Sequence, residues 1–442
     1  MQTKLTELHT RRPTPGVMPL QAAADMPATV PQTLGTSDVH LCPPVVRVAL
    51  MAAMGLVGFA VDLEVLQSWG LSLMSMLSPG LPEYQTGTTA ARSGASPVFR
   101  ISALHAGWGV FCWIMYRRFA LPDGSRTWEA QRWEIIALIG LFVMWCIPLP
   151  FHTLRRSFWR SLARIMTPSL RQHIEFSDVL VADVLTSFAK VFGDLFLAFF
   201  VVVDALHGRT ADAHTLWQQR TGFEIPLLTS LPFLVRMRQC LSEYFVHPPA
   251  ADPRRPLWNA LKYATALPVI WLSAWRRKVA PVVSPLIGID GVLLISTTWF
   301  VAVLVNTLFS FWWDVTNDWG LEILRPQSVA AAWDESRLPS LQRRVNENDN
   351  FELGARRSSH SRHASVLRAP EKPLPLPPSV YYVLLGVNLL LRFTWSLKLS
   401  AHLNFLFEWE RQLLFFEALE LARRSVWLLL RVEWEHVRRE QL

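Results

Sequence analysis

The chain is short of charged residues. Only 18% of its 442 residues are Asp, Glu, Lys or Arg, whereas 51% are apolar and 20 are Trp. A soluble protein of this length divides into two or three domains, but several apolar runs here approach the roughly 20 residues that a membrane-spanning helix needs. The composition therefore excludes an ordinary soluble protein. It predicts an all-α polytopic membrane protein with eight to ten transmembrane helices.

The chain also has little cysteine, and its spacing gives no basis for a metal centre or a disulfide framework. Cys42, Cys112, Cys146 and Cys240 are far apart, mostly in or beside apolar segments, and none stands in a CxxC pair or near a histidine cluster. Such isolated residues are typical of buried thiols. We therefore predict no metal site and no cofactor, while a single disulfide stays open.

The net charge of +8 is spread over loops and helix ends instead of forming one soluble basic domain. This distribution argues against nucleic-acid binding and suits a basic membrane face or an anionic solute. Between residues 151 and 174, five arginines accumulate without one acidic residue. We expect a loop on the cytosolic side here, because cytosolic loops of membrane proteins are rich in Lys and Arg.

Alternating apolar runs and polar gaps divide the chain. Residues 1–44 carry seven prolines and no signal peptide, so the helix near Val45–Leu66 is expected to target the membrane. A polar, proline-rich insertion at about 325–378 is expected to be disordered. The predicted parts are a disordered tail at 1–44, amino-terminal helices with the basic loop at 45–175, a membrane domain at 176–436 and a tail at 437–442.

Charged side chains interrupt several otherwise apolar segments. A charge at bilayer depth costs on the order of 3 kcal/mol, so it usually faces a bundle interior, a partner or a water-filled path. In the last such segment, Glu420 and Arg424 are i,i+4 neighbours on a helix. Two interpretations stay open: an interfacial helix whose arginines snorkel to headgroups, or a buried anion site with partners from elsewhere in the chain.

A polar stripe is predicted on a helix at Phe176–Asp204. Asp183, Ser187, Lys190 and Asp194 recur at spacings of four, three and four, which places them on one helical face. This face should contact protein or a solvated cavity, because lipid offers it no partner. Lys190 and Asp194 either form an ion pair that holds helices together or belong to a site, and Asp183 still requires a cation.

Two aspartates, Asp314 and Asp318, are four residues apart where the apolar segment Pro285–Trp313 ends. Paired carboxylates can serve acid–base chemistry, but no nucleophile pattern accompanies them. We expect them instead to pair with the intramembrane arginines.

Seven motifs, taken in order, resemble the EXS family. Single motifs such as Leu-Arg-Phe are weak, but seven in the family's order over residues 176–436 are highly specific. They are Ala182-Asp183-x-Leu185-x-Ser187, Arg236 before Gln239-Cys240-Leu241, Asn259-Ala260-x-Lys262-Tyr263, Trp313-Asp314-x-x-x-Asp318-Trp319-Gly320-Leu321, Leu391-Arg392-Phe393-x-Trp395, Arg423-Arg424-x-x-Trp427 and Glu433-x-Glu435-His436.

The resemblance implies export of inorganic phosphate through a helical bundle, with no catalytic residues and no enzyme activity. Arginine suits this substrate because a planar guanidinium gives paired, charge-assisted donors to phosphate oxygens. Thr186, where the family often has Asn, and Lys190, where it is apolar, depart from the pattern and bear on anion preference. The implied phosphate-binding residues are Asp183, Arg236, Lys262, Tyr263, Asp314, Asp318, Arg392, Trp395, Glu420, Arg423 and Arg424.

The resemblance is to the shorter, fungal branch of the family, because the 44 residues before the first predicted span are too few for the SPX domain of longer members. That branch implies a Golgi membrane location and return of phosphate, a by-product of glycosylation, from lumen to cytosol. Such return supports glycosylation and retention of ER and Golgi proteins. Expected partners are phosphate and membrane lipids, and a homodimer stays open. The alternative function is a sorting or recycling factor that binds glycosyltransferases without transporting phosphate.

Overall fold

Helices make up all the regular structure in the described part of the chain, which confirms the all-α prediction. The computed structural model describes residues 42–71, 73–77, 88–120, 128–146, 152–208, 223–246, 252–278, 280–324, 367–368, 375–398 and 410–439.

These residues form thirteen α-helices and one π-helical turn. In chain order they are α1 (Pro44–Ser68), α2 (Leu73–Leu77), α3 (Thr88–Phe119), α4 (Trp128–Cys146), α5 (His152–Met166), α6 (Phe176–Ser187), α7 (Ala189–Leu206), α8 (Glu224–Val246), α9 (Arg255–Ala264), α10 (Ala266–Lys278), α11 (Ala280–Trp313), the π-helical turn (Asp314–Asp318), α12 (Pro378–Lys398) and α13 (Glu410–Arg439).

Within the described residues, three helical stretches are long and apolar enough to cross a membrane. They are Pro44–Ser68, Ala95–Phe119 and Leu293–Asp318. The first coincides with the predicted targeting helix, and the second contains the whole of Val98–Arg117, an apolar run whose composition also predicts a span. The total of eight to ten spans stays a prediction.

The last helix, α13, lies at the centre of the described bundle. Its Trp427, Leu430 and Val432 are buried in one cluster with Trp319 and Tyr381. The helix contacts α1, α6 and α12 as well as the π-helical turn. The buried charged residues of α13, such as Glu420, Arg423 and Glu433, are therefore held against protein.

The predicted stripe at 176–204 is divided between two helices. The chain leaves the helical path at Phe188, where ψ is 6°, so α6 ends at Ser187 and α7 begins at Ala189. The Phe188 ring packs against Gly55 of α1, where an added Cβ would lie 2.8 Å from the ring. This close contact positions the ring at the break.

Lys190 and Asp194 do not form an ion pair with each other, so the first of the two alternatives for these residues is wrong. Lys190 Nζ instead lies 3.4 Å from Glu417 Oε1, and Asp194 Oδ1 lies 3.2 Å from Arg47 Nη2. Both residues belong to α7, but each turns to a neighbouring helix that carries the opposite charge. The pairs link α7 to α13 and to α1.

A second break, at Thr265, separates α9 from α10. Pro268 has no N–H to donate to the carbonyl of Ala264, so the helical ladder is interrupted there. The Thr265 hydroxyl is 2.7 Å from the carbonyl oxygen of Lys262 and 3.0 Å from Asn306 Oδ1. The break thereby ties α9 and α10 to α11.

The basic segment expected as a loop contains helix α5, so that expectation was wrong for residues 152–166. Its Phe158, Leu162 and Ile165 recur at helical spacing, which gives the segment an apolar face. At its end, Arg164 Nη2 donates to Asp178 Oδ1 at 2.7 Å. The hydrogen bond to Asp178 holds the pKa of the Arg164 guanidinium above its usual value. This pair fixes α5 to the start of α6.

None of the four cysteines, all of which lie in the described residues, forms a disulfide. Cys112 and Cys240 are buried as expected and Cys42 is half-buried, but Cys146 is exposed at the end of α4, which corrects the prediction for that residue. The sequence around Cys146 is apolar, and apolar side chains of a membrane helix need not face the protein interior.

Two residues of the predicted disordered insertion are ordered and buried. Leu367 and Arg368 are 0% and 2% exposed, and the Arg368 guanidinium forms hydrogen bonds of 2.6 and 3.0 Å to the two carboxylate oxygens of Glu433. Arg368 also donates to the carbonyl of Trp319 at 2.6 Å. Residues 325–366 and 369–374 lie outside the described residues.

Replacing Gly320 with Ala is expected to destabilise the fold more than the same change at Gly70. Both glycines have positive φ, which costs other residues about 1–2 kcal/mol. An added Cβ at Gly320 would also lie 2.3 Å from the Trp434 ring, whereas at Gly70 it meets nothing within 4 Å. Thermal unfolding in detergent measures the difference, and equal shifts for both variants would contradict the packing argument.

Candidate functional site

Charged faces of several helices meet at a cavity of about 40 Å³. One water needs roughly 10–15 Å³ by this measure, so the space suits a few waters or a small inorganic anion and is too small for a nucleotide sugar. Its lining comes from α6, α8, α9, α10, α11, α12 and α13: Thr186, Phe233, Lys262, Tyr263, Ala266, Asn306, Thr307, Ser310, Arg392, Glu420, Arg423 and Arg424.

On one side of the cavity, Asp183 of α6 is held by two donors. Arg236 Nε lies 2.8 Å from Asp183 Oδ1, and the Tyr263 hydroxyl donates to the same oxygen at 2.5 Å. Arg236 Nη1 also donates to Gln239 Oε1 at 2.7 Å. The cation that Asp183 requires is therefore Arg236, which lies behind the lining residue Tyr263.

The two aspartates of the π-helical turn share one lysine. Lys262 Nζ is 3.4 Å from Asp314 Oδ1 and 3.3 Å from Asp318 Oδ2. In a π-helical turn the backbone hydrogen bonds join residues five apart, whereas in an α-helix they join residues four apart. In this wider turn both carboxylates reach the same ammonium group. Their expected pairing with arginines also occurs: Asp314 binds Arg392, and Asp318 Oδ1 lies 3.8 Å from Arg431 Nε.

Glu420 and Arg423 form a buried pair one helical turn apart on α13. Two hydrogen bonds of 2.9 and 2.7 Å join the Arg423 guanidinium to the Glu420 carboxylate. Glu420 also accepts a hydrogen bond of 2.7 Å from Ser187, and Arg423 Nη1 lies 3.9 Å from Asp314 Oδ2. Arg423 thus connects the Glu420 carboxylate to the Asp314 cluster.

Arg424 differs from the other cations around the cavity. Its Nε donates to the Ser187 hydroxyl at 2.8 Å and its Nη2 donates to the Thr186 hydroxyl at 3.0 Å. The guanidinium carbon lies 4.7 Å from the centre of the Trp427 ring. Within the part of the chain that the structure describes, Arg424 forms no ion pair. It is a cation held by neutral groups at the cavity wall.

The cavity is electropositive at its lining. Four lining residues are cations (Lys262, Arg392, Arg423 and Arg424), against the single carboxylate of Glu420. The carboxylates of Asp314 and Asp318 lie behind this layer and bind lining cations, whereas Asp183 binds Arg236 and the lining residue Tyr263. Such an arrangement keeps several N–H donors close together, and an anion is the ligand that this geometry can bind.

The buried position of the α13 charges decides between the two interpretations of this helix. Glu420, Arg423 and Arg431 are only 4%, 5% and 8% exposed. They contact other helices, so the interfacial helix with snorkelling arginines is the wrong interpretation for this part of α13.

The structure brings most of the predicted site residues together. Of those residues, Lys262, Tyr263, Arg392, Glu420, Arg423 and Arg424 line the cavity. Asp183, Arg236, Asp314 and Asp318 lie behind it, each bonded to a lining residue. The backbone of Trp395 belongs to α12, but its side chain lies outside the described residues.

Sequence reasoning missed a set of small polar residues on α11. Asn306, Thr307 and Ser310 line the cavity, and each is less than 5% exposed. Their spacing within an apolar span, with positions 306 and 310 one turn apart, was the available signal. Thr186, one of the two departures from the family pattern, is a lining residue that bonds Arg424, whereas Lys190 is not part of the lining.

Comparison with known proteins gives consistent matches. The profile of the EXS family matches residues 42–437. Protein ERD1 homolog 1 of Schizosaccharomyces pombe is 24% identical over 407 residues, which cover 90% of this chain and 91% of that protein. Protein ERD1 of Kluyveromyces lactis is 26% identical over 371 residues, with coverages of 83% and 85%. Solute carrier family 53 member 1 of Homo sapiens is 23% identical over 318 residues, with coverages of 68% and 39%.

Replacing Asp183 with Asn should destabilise the protein strongly. The change leaves the Arg236 charge buried without its carboxylate, a loss of about 3–5 kcal/mol for comparable pairs. The double variant Asp183→Asn with Arg236→Gln should recover part of this loss. Unfolding temperatures in detergent report both effects.

The matched control is Arg438→Gln, because Arg438 pairs with Glu435 but its side chain is 42% exposed. An exposed pair of this kind contributes less than about 1 kcal/mol. Equal destabilisation by Asp183→Asn and Arg438→Gln would show that burial of the Asp183 pair does not matter.

Proposed function

Because this chain belongs to the EXS family, we propose that it exports inorganic phosphate across a membrane through the cavity between α6, α9, α11, α12 and α13. The chain is a multi-pass membrane protein with ERD1 proteins among its relatives. A solute carrier is a further relative, which supports transport over catalysis. The proposed phosphate-binding residues are those predicted from the family pattern, joined by the hydroxyl groups of Thr186, Thr307 and Ser310.

One observation carries this proposal: Arg424 lines the cavity and donates only to the hydroxyls of Ser187 and Thr186 among the described residues. A guanidinium offers five donors in a planar fork that matches phosphate oxygens. The hydroxyls orient this fork without neutralising its charge. An entering anion can therefore pair with the full positive charge of Arg424 without displacing a carboxylate from it.

The other cations are shared with carboxylates that can exchange them for phosphate. Arg392 and Lys262 bind Asp314, and Arg423 binds Glu420. A phosphate that leaves water must replace its hydration shell, and these cations together with the α11 hydroxyls supply donors. The carboxylates can accept the proton of a mono- or dihydrogen phosphate, and they keep the like-charged arginines apart when the site is empty.

The proposed location is the Golgi membrane, with phosphate moving from lumen to cytosol. The ERD1 relatives match over most of their own length, whereas the chain covers 39% of the human solute carrier. This pattern favours the shorter branch of the family. Recovery of phosphate left by glycosyl transfer would support glycosylation and, through it, retention of ER and Golgi proteins.

Arg424→Lys and Arg392→Ala should each lower phosphate efflux by about tenfold or more. An ammonium cannot supply the paired donors of a guanidinium, and charge-assisted hydrogen bonds contribute roughly 1.5–3 kcal/mol. The measurement is efflux of radiolabelled phosphate from liposomes that contain the purified full-length protein. Arg438→Ala is the control, because it removes an arginine of the same helix whose side chain is 42% exposed.

Wild-type efflux rates in both site variants would contradict the phosphate site. An absence of phosphate movement by the wild-type protein would contradict the transport function as a whole. In that case the alternative, a sorting factor that binds glycosyltransferases, becomes the better explanation of the family resemblance to ERD1 proteins.

A further inference from the structure

A buried carboxyl group lies where α1 meets α13, outside the proposed phosphate site. Asp62 of α1 is 1% exposed, and its Oδ1 accepts a hydrogen bond of 2.5 Å from the Ser425 hydroxyl. The same hydroxyl lies 3.3 Å from the carbonyl oxygen of Gly58, one turn earlier on α1. Asp62 therefore sits at a helix junction directly beside the turn that carries Arg424.

Asp62 has no cation among the described residues. Other buried carboxylates in the same bundle do have one: Asp183 binds Arg236, and Asp194 binds Arg47. A buried carboxylate of this kind is costly, because neither lipid nor protein supplies the opposite charge. A buried ionisable group of this kind in a membrane protein points to a role beyond packing.

The helices around α1 bring no charge to Asp62. Helix α1 packs against α3, α4, α7 and α13. Arg100 is exposed and Asp194 is turned toward Arg47. Of the buried titratable groups on α3 and α4, His105 bonds the carbonyl oxygen of Ile101, and Glu134 makes no described contact with Asp62. On α13, Arg424 contacts Thr186 and Ser187. Only the neutral hydroxyl of Ser425 faces the carboxyl group within the described structure.

The geometry accommodates both protonation states of Asp62. When the carboxylate is charged, the Ser425 hydroxyl donates a hydrogen bond to Asp62 Oδ1 and keeps its proton. When Asp62 is protonated, the carboxyl can donate to Ser425 Oγ, and the Ser425 proton can turn to the Gly58 carbonyl. A hydroxyl has one donor and two acceptor lone pairs, so every group stays bonded in either state without movement of a heavy atom.

We propose that Asp62 carries a proton with each phosphate and makes the transport proton-coupled. Asp62 takes the proton from the solution on the side where phosphate is loaded and releases it on the opposite side, so one proton accompanies one anion. Ser425 directly follows Arg424 in the sequence, which places the proton site and the anion site on one turn of α13. This proposal rests on the proposed phosphate transport.

The test compares Asp62→Asn with Glu64→Gln in liposomes that contain the full-length protein. Glu64 lies two residues further along α1 and is exposed, so the control removes a charge without touching the buried junction. Radiolabelled phosphate and an internal pH dye together give the protons moved per phosphate. Phosphate's own ionisation contributes equally to all variants.

We expect the ratio of protons to phosphate to fall by about one in Asp62→Asn and to stay at the wild-type value in Glu64→Gln. Exchange of labelled for unlabelled phosphate at equal pH should persist in Asp62→Asn, because the neutral amide resembles the protonated carboxyl. An unchanged ratio in Asp62→Asn overturns proton coupling but leaves phosphate transport standing. A wild-type protein that moves no phosphate overturns the proposed function and this proposal with it.

Ser425→Ala keeps the proposal testable if Asp62→Asn does not fold. Removing the donor disfavours the charged carboxylate, so the pH midpoint of phosphate efflux should lie about half a unit higher in Ser425→Ala than in the wild type. A merely structural role for the hydrogen bond would lower the amount of folded protein without moving this midpoint. An unmoved midpoint in active Ser425→Ala protein overturns the proposal.

Discussion

Compensation of charge inside a membrane bundle is the constraint on which this structure depends. Asp314 is 0% exposed, and it is tolerated because Lys262, Arg392 and Arg423 all lie around it. These cations come from three different helices, so the ion pairs also fix the helices relative to one another. Removing one partner of such a network leaves a buried charge behind. The same network that carries the proposed function therefore also holds the fold.

The cations around the cavity fall into two groups, those bound by carboxylates, which stabilise the fold, and Arg424, which is available to bind an anion. Carboxylates satisfy most cations from behind, whereas Arg424 is oriented by Ser187 and Thr186. Hydroxyls fix a guanidinium without cancelling its charge, which is the property that a reversible anion site needs. A carboxylate at the same place would bind Arg424 more firmly and would compete with phosphate. Thr186, one of the two departures from the family pattern, thus supplies a neutral acceptor at the lining cation that forms no ion pair among the described residues.

The sequence predicted the charged part of the site because burying those residues is costly and their helical spacing is regular. It did not predict the break at Phe188, since the Phe188 ring packs against Gly55 of a different helix. The hydroxyls of α11 were missed for a related reason. Small polar residues are tolerated on many faces of a membrane helix, and only packing decides which of them reach a cavity.

The amino-terminal helix has a larger part in the site than its expected role in targeting. Gly55 of α1 admits the Phe188 ring at the break between α6 and α7, and Gly58 lies against Ser425 of α13. Phe188 directly follows Ser187, which accepts a hydrogen bond from Arg424, and Ser425 directly follows Arg424 itself. The motifs of the membrane domain begin at residue 182, yet the family match begins at residue 42 and includes α1. Helix α1 thus contacts both the break at Phe188 and the turn of α13 that carries Arg424. This position allows α1 to couple its buried Asp62 carboxyl group to the proposed anion site.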